Sequence, residues 1–138
     1  MRGTRLLKAF SSVSIAAWAV VQVAPSVASA SVPKQVVQIE AGAACPTGAT
    51  FCYRPKKPTI ASGTNVVWKN LTAVSHTVTR CDPTNCPKSG GTGTDTGLAS
   101  PLIVPGTKYK FVFHGLGTYR YYCTVHGYAV MHGTITVA

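Results

Sequence analysis

Tyr121-Tyr122-Cys123-Thr124-Val125-His126-Gly127-Tyr128-Ala129-Val130-Met131 sets one thiol, one imidazole and one thioether along a single short segment. The aromatic run before Cys123 reads as the end of a strand, a tight loop returns His126 three residues later, and Met131 stands at the start of the last strand. One loop between two strands therefore aims three soft or borderline donors. Thiolate and thioether favour cuprous copper, and imidazole also accepts the cupric ion. A second imidazole has to come from elsewhere, and His76 is the best candidate. It follows the run Val66-Val67-Trp68-Lys69-Asn70 and a loop, and it opens a further candidate strand. Such a site exists only when the fold brings distant segments together.

Working outward, β-branched and aromatic residues recur in short runs separated by Gly, Pro, Asn and Ser, with no long helical periodicity. Strands are predicted over 35–40, 50–53, 59–60, 65–69, 76–80, 109–113, 118–123 and 133–137. Tyr109, Phe111 and Phe113 alternate onto one strand face, as do Val66 and Trp68, so each of these faces should meet a core. About eight short strands in roughly a hundred residues suit an all-β fold of two sheets packed face to face. The Gly-, Thr- and Ser-rich segment 88–96 reads as a mobile surface loop.

Arg2, Arg5 and Lys8, an apolar run over 13–21, and Ala28-Ser29-Ala30 follow the order of a secretory signal. An uncleaved anchor needs ~20 apolar residues, and Gln22 and Pro25 interrupt this run. The reading is therefore a signal peptide over 1–30, one domain over 31–138, and a periplasmic or extracellular location. Removing Arg2, Arg5 and Lys8 from a formal charge of +10 leaves +7. Charge of this sign fits an acidic protein partner or an anionic surface, or lysines that merely solvate the fold; an exported domain makes nucleic acid the poorest match. The five cysteines are an odd number. Pairing Cys45 with Cys52 and Cys81 with Cys86 is economical and leaves Cys123 single, though four cysteines allow other connectivities. A structural zinc site on Cys81 and Cys86 is the rival, disfavoured because exported pairs oxidise.

Val67-Trp68-Lys69-Asn70 followed by Ser75-His76-Thr77-Val78, then Gly117-Thr118-Tyr119-Arg120-Tyr121-Tyr122-Cys123, then His126 and Met131-His132-Gly133-Thr134-Ile135-Thr136-Val137, resemble the plastocyanin, pseudoazurin and amicyanin group of blue-copper proteins. The resemblance spans most of residues 33–138. It implies a Greek-key cupredoxin sandwich and one copper, with His76 and His126 as equatorial histidines, Cys123 as the equatorial cysteine and Met131 as the axial ligand. Thr77 departs from the pattern. Plastocyanins commonly have Asn there, so the support of the cysteine loop should differ.

Taken singly, Cys123, His126 and Met131 would be a buried thiol, a surface imidazole and core filler. Together they point to copper. His114 and His132 fit a solvent-facing reading, and Asn70-Leu71-Thr72 matches a glycosylation sequon. Four protein ligands leave no open position for substrate, so one-electron transfer is expected rather than catalysis. Electrons would pass by the His126 edge, with Val125, Tyr128, Ala129 and Val130 as the docking surface for a redox protein, acidic in character. The chain is expected to be a monomer that meets a membrane only through a partner. A copper oxidase or nitrite reductase would need a neighbouring His-Cys-His, whereas Tyr122 and Thr124 flank Cys123. Copper carriage or storage is the alternative function.

Overall fold

The computed structural model describes residues 30–46 and 48–138, so the segment read as a signal peptide lies almost wholly outside the described residues. Eight strands form: β1 Lys34–Ala41, β2 Phe51–Arg54, β3 Thr59–Ile60, β4 Thr64–Asn70, β5 Thr79–Arg80, β6 Lys108–Phe113, β7 Gly117–Tyr122 and β8 His132–Val137. A single 3-10 turn, Gly42–Ala44, follows β1. The sheets run β2-β1-β4-β6 and β3-β8-β7-β5. The β1–β4 and β3–β8 pairs are parallel and the others antiparallel. The chain changes sheet at every connection from β2 to β7, which ties the two layers together.

The alternation read in the sequence is what closes the sandwich. Val66 and Trp68 of β4 and Phe113 of β6 are fully buried on the inner face, opposite Tyr119 and Tyr121 of β7 and Ile135 of β8. The Trp68 ring lies 5.5 Å from Tyr121 and 5.8 Å from Tyr109, so its indole bridges both sheets. Aromatic residues bury large areas and carry most of the energy of such a core. β7 and β8 approach closely because Gly133 faces Tyr121 in register and leaves room for its ring: a Cβ at 133 would stand 2.5 Å from the Tyr121 ring.

Three expectations are corrected. The strand over 76–80 shrinks to Thr79–Arg80, with His76 held only by an isolated bridge to Ile103. The reason is tertiary: the Thr77 N–H donates to the Cys123 sulfur and the Val78 N–H to Ser100 Oγ, so neither continues a ladder. The 88–96 segment is bonded along β7 rather than free. Arg120 N–H donates to Gly90 O at 2.9 Å, Gly93 N–H to Thr118 O at 2.9 Å, and the Arg80 guanidinium to the carbonyls of Gly93 and Asp95 at 2.6 Å each. His132 is half-buried, stacked on Tyr128 at 4.4 Å, because the ligand loop folds back over the outer face of β8. His114 is exposed as expected.

Both disulfides have the economical pairing, Cys45–Cys52 and Cys81–Cys86, and Cys123 is free and buried. Each closes a short loop and is worth about 2 kcal/mol on chain-entropy reasoning. The first fastens the chain before β2, and the second ties the turn that follows β5.

Candidate metal centre

Cys123 follows β7 directly, and its backbone is clamped in two directions. Its N–H donates to Met131 O at 3.0 Å, and its carbonyl accepts from Gly127 N–H at 2.9 Å. The turn thus formed requires the positive φ of Gly127, +79°, which L side chains rarely adopt. Met131 N–H then returns to Gly127 O at 3.1 Å. The loop therefore presents Cys123, His126 and a buried Met131 from one small knot of backbone.

His76 arrives from the other segment. Its Nδ1 lies 3.8 Å from Cys123 Sγ, and Nδ1 of His126 lies 3.5 Å from the same sulfur. The three ligand atoms fall within 4.8 Å of one another. His76 and Cys123 are fully buried while His126 keeps an open edge. Burial, and then the neighbouring His126, lower the His76 pKa to about 4. The ring is neutral across the physiological range, and a neutral imidazole is the form that binds metal.

Residues that the sequence reading did not count as ligands hold these ligands in place. Thr72 Oγ1 lies 2.9 Å from His76 Nε2, and its own proton can reach Asn70 Oδ1 at 2.9 Å. Asn70 is fully buried and donates through Nδ2 to Val74 O and Ile103 O. With Nε2 engaged by Thr72, Nδ1 is left facing the sulfur, which is how a neighbouring group fixes the tautomer of a ligating histidine. The Asn70-Leu71-Thr72 sequon is thus a buried bonding unit. Thr77, in place of the usual Asn, accepts from Thr124 N–H at 2.8 Å and meets Thr124 Oγ1 at 2.9 Å, while its own N–H points at Cys123 Sγ from 3.3 Å. Phe51 of β2 lies against both imidazoles, 4.5 Å from His126 and 4.9 Å from His76. Tyr128, the aromatic residue expected beside His126, stacks on His132 instead.

A sequence profile described as copper binding proteins of the plastocyanin/azurin family matches residues 39–138. The chain belongs to that family. A plastocyanin from Scenedesmus fuscus is 35% identical over 85 residues, covering 62% of this chain and 85% of the relative. Among solved structures, the purple cupredoxin from Nitrosopumilus maritimus superposes with a TM-score of 0.58 at 29% identity, covering 75% of this chain and 98% of that one. An oxidised amicyanin variant gives 0.54 at 24% identity over 75% and 80%, a likeness of fold alone.

Copper is accordingly the cofactor of this cupredoxin, and the donor set fits it. Two imidazole nitrogens converge on one thiol in a site closed to solvent on the His76 side. That mix suits copper in both oxidation states. The same convergence excludes Cys123 from the disulfide framework, since its sulfur is enclosed by the two rings and Thr77.

Proposed function

We propose that this chain is an exported blue-copper protein that carries single electrons between redox partners, with His76, Cys123, His126 and Met131 as its four ligands and no catalytic role. The observation that carries the reading is the meeting of both Nδ1 atoms at the buried sulfur of Cys123. Copper bound there supplies a one-electron couple. The protein supplies rigidity: hydrogen bonds to the Thr72 and Thr77 hydroxyls and the Gly127 turn fix the donors before metal arrives, so little has to move when the charge changes.

His126 provides the way in. It is the half-exposed member of the set, and Val125 and Val130 beside it are 53% and 44% exposed, an apolar rim suited to brief docking. Export of residues 31–138 after cleavage near Ala30 follows from the N-terminal sequence pattern and agrees with two disulfides. No helix among the described residues is long and apolar enough to cross a membrane.

The test is optical and electrochemical. The oxidised, copper-loaded protein should show an intense visible thiolate-to-copper band that disappears on reduction and returns on oxidation. Cys123→Ser should abolish the band, and Met131→Leu should keep it with a shifted reduction potential. An intense band in Cys123→Ser would overturn the assignment, and an unchanged potential in Met131→Leu would leave Met131 as core only.

A further inference from the structure

Ten cations follow residue 30, and five of them stand on one face of the sandwich. On the outer side of the β2-β1-β4-β6 sheet, register sets Arg54, Gln38, Lys69 and Lys108 in one cross-strand row. The next row is Val36, Val67 and Lys110, and the one beyond it is Lys34, Asn65 and Val112. Lys34, Lys69, Lys108 and Lys110 are all exposed. Lys69 and Lys108 are direct partners, an arrangement in which like charges repel.

No carboxylate relieves them. Glu40 shares the face but sits 3.4 Å from Arg54, with little exposure of its own. Asp82 accepts from Thr84 and Asn85 in the Cys81–Cys86 turn, and Asp95 accepts from His114 and Gly115 at another edge. The fold asks only that these outward positions be polar. A cluster of like charges kept without counter-charge marks a surface that meets an anion.

The character of the face decides which kind. It carries a shallow groove of about 630 Å3, and its apolar content is Val36 and Val112, each 39% exposed, with Val67 nearly covered. Alternation sends Tyr109, Phe111 and Phe113 to the opposite side. Protein-protein interfaces concentrate aromatic residues and Arg and are depleted in Lys. This face is the reverse: four lysines, no aromatic group, and an Arg already engaged with Glu40. Lysines on flexible stems suit the diffuse negative potential of a lipid surface.

We propose that the outer face of the β2-β1-β4-β6 sheet adsorbs the protein directly to an anionic lipid bilayer, in place of the contact only through a partner expected from the sequence. The strands would then lie parallel to the membrane. The metal centre sits at the strand ends, reached from Lys69 through Asn70 and Thr72 to His76, so it would face sideways at the rim of the contact, toward partners held in the same membrane. The setting rests on the export and electron-carrier reading, whereas adsorption itself is a property of the folded chain with or without copper.

The test is co-sedimentation of the exported protein, copper-loaded and copper-free, with phosphatidylcholine vesicles containing one-third phosphatidylglycerol, and with pure phosphatidylcholine. Binding is expected to the anionic vesicles alone, weakening steeply as salt rises. Lys69→Gln with Lys108→Gln should weaken it about thirtyfold, roughly fivefold per lysine, while melting no earlier than the parent. Lys56→Gln with Lys57→Gln, outside this face, should weaken it less. Equal binding to both vesicle types, equal loss in both variant pairs, or no binding would overturn the proposal. Absence of binding together with slower electron exchange of the Lys69 and Lys108 variant with an acidic redox protein would assign the face to a protein instead. Failure of the copper reading would show separately, as the absence of the visible band in protein that still binds vesicles.

Discussion

Thr72 Oγ1 lies 2.9 Å from Nε2 of His76 while Nδ1 of the same ring faces the Cys123 sulfur at 3.8 Å, so one hydroxyl decides which nitrogen is offered to the metal. Thr72→Val keeps the shape and removes the acceptor. The Nε2–H is then buried without a partner, at a cost of ~1–3 kcal/mol. The visible band should survive, because all four ligands remain, but copper affinity should fall about 10- to 100-fold. Thr72→Ser should restore most of it. Competition with a copper chelator measures both variants, and an affinity unchanged in Thr72→Val would show that packing alone orients His76.

Gly133→Ala tests the contact between β7 and β8. The added methyl would meet Cζ and the hydroxyl of Tyr121 at 2.5 Å, and that ring is wedged between Trp68 and Tyr53 at 5.5 and 4.8 Å. A buried aromatic held on both sides cannot step aside, so the variant should lose ~1–3 kcal/mol by overpacking. Denaturant unfolding of copper-free protein measures this without interference from metal binding.

The pattern of particular residues explains what the sequence disclosed. Tyr109, Phe111 and Phe113, like Val66 and Trp68, were legible because pleating makes side-chain direction a local property. The ligand loop was legible because Cys123, His126 and Met131 are close in the chain, and His76 because its flanking residues carry a family resemblance. Thr72 was read only as part of a sequon, since its bond to His76 depends on how the 71–75 loop turns under the site. Phe51 was missed because nothing in β2 itself says which rings it will cover. The strand at 76–80 was overextended for the same kind of reason: the groups that take the Thr77 and Val78 N–H protons, Cys123 and Ser100, are distant in sequence.

Asp95 makes stability depend on acid. Its partial burial alone would raise the carboxyl pKa, but donation from Gly115 N–H and the Tyr119 hydroxyl, then His114 N–H and the His114 charge, outweighs this and lowers it. A carboxyl whose folded pKa lies below its unfolded value, about 3.9, stabilises the fold fully above that value and loses the contribution as pH falls through the folded pKa. Melting temperature should therefore drop below about pH 4. Asp95→Asn should melt earlier than the parent at neutral pH, and the difference should narrow in acid. A constant difference down to pH 2 would show that Asp95 contributes nothing through its charge.

Phe51 holds His126 in place. Its ring lies over the imidazole at 4.5 Å with the planes tilted by 39°, and it leans also on His76 at 4.9 Å. His126 has an open edge, so the contact that keeps its ring from rotating away falls to Phe51. Phe51→Ala removes that contact and leaves the donor less well oriented, so copper affinity should fall about 10-fold, the lower end of what is lost when the support of a metal ligand is removed. Phe51→Leu, which refills part of the space, should fall between Phe51→Ala and the parent. Competition of all three with a copper chelator, with the fold checked by circular dichroism, decides the matter: equal affinities would mean that the backbone of the ligand loop, and not the Phe51 ring, keeps His126 in place.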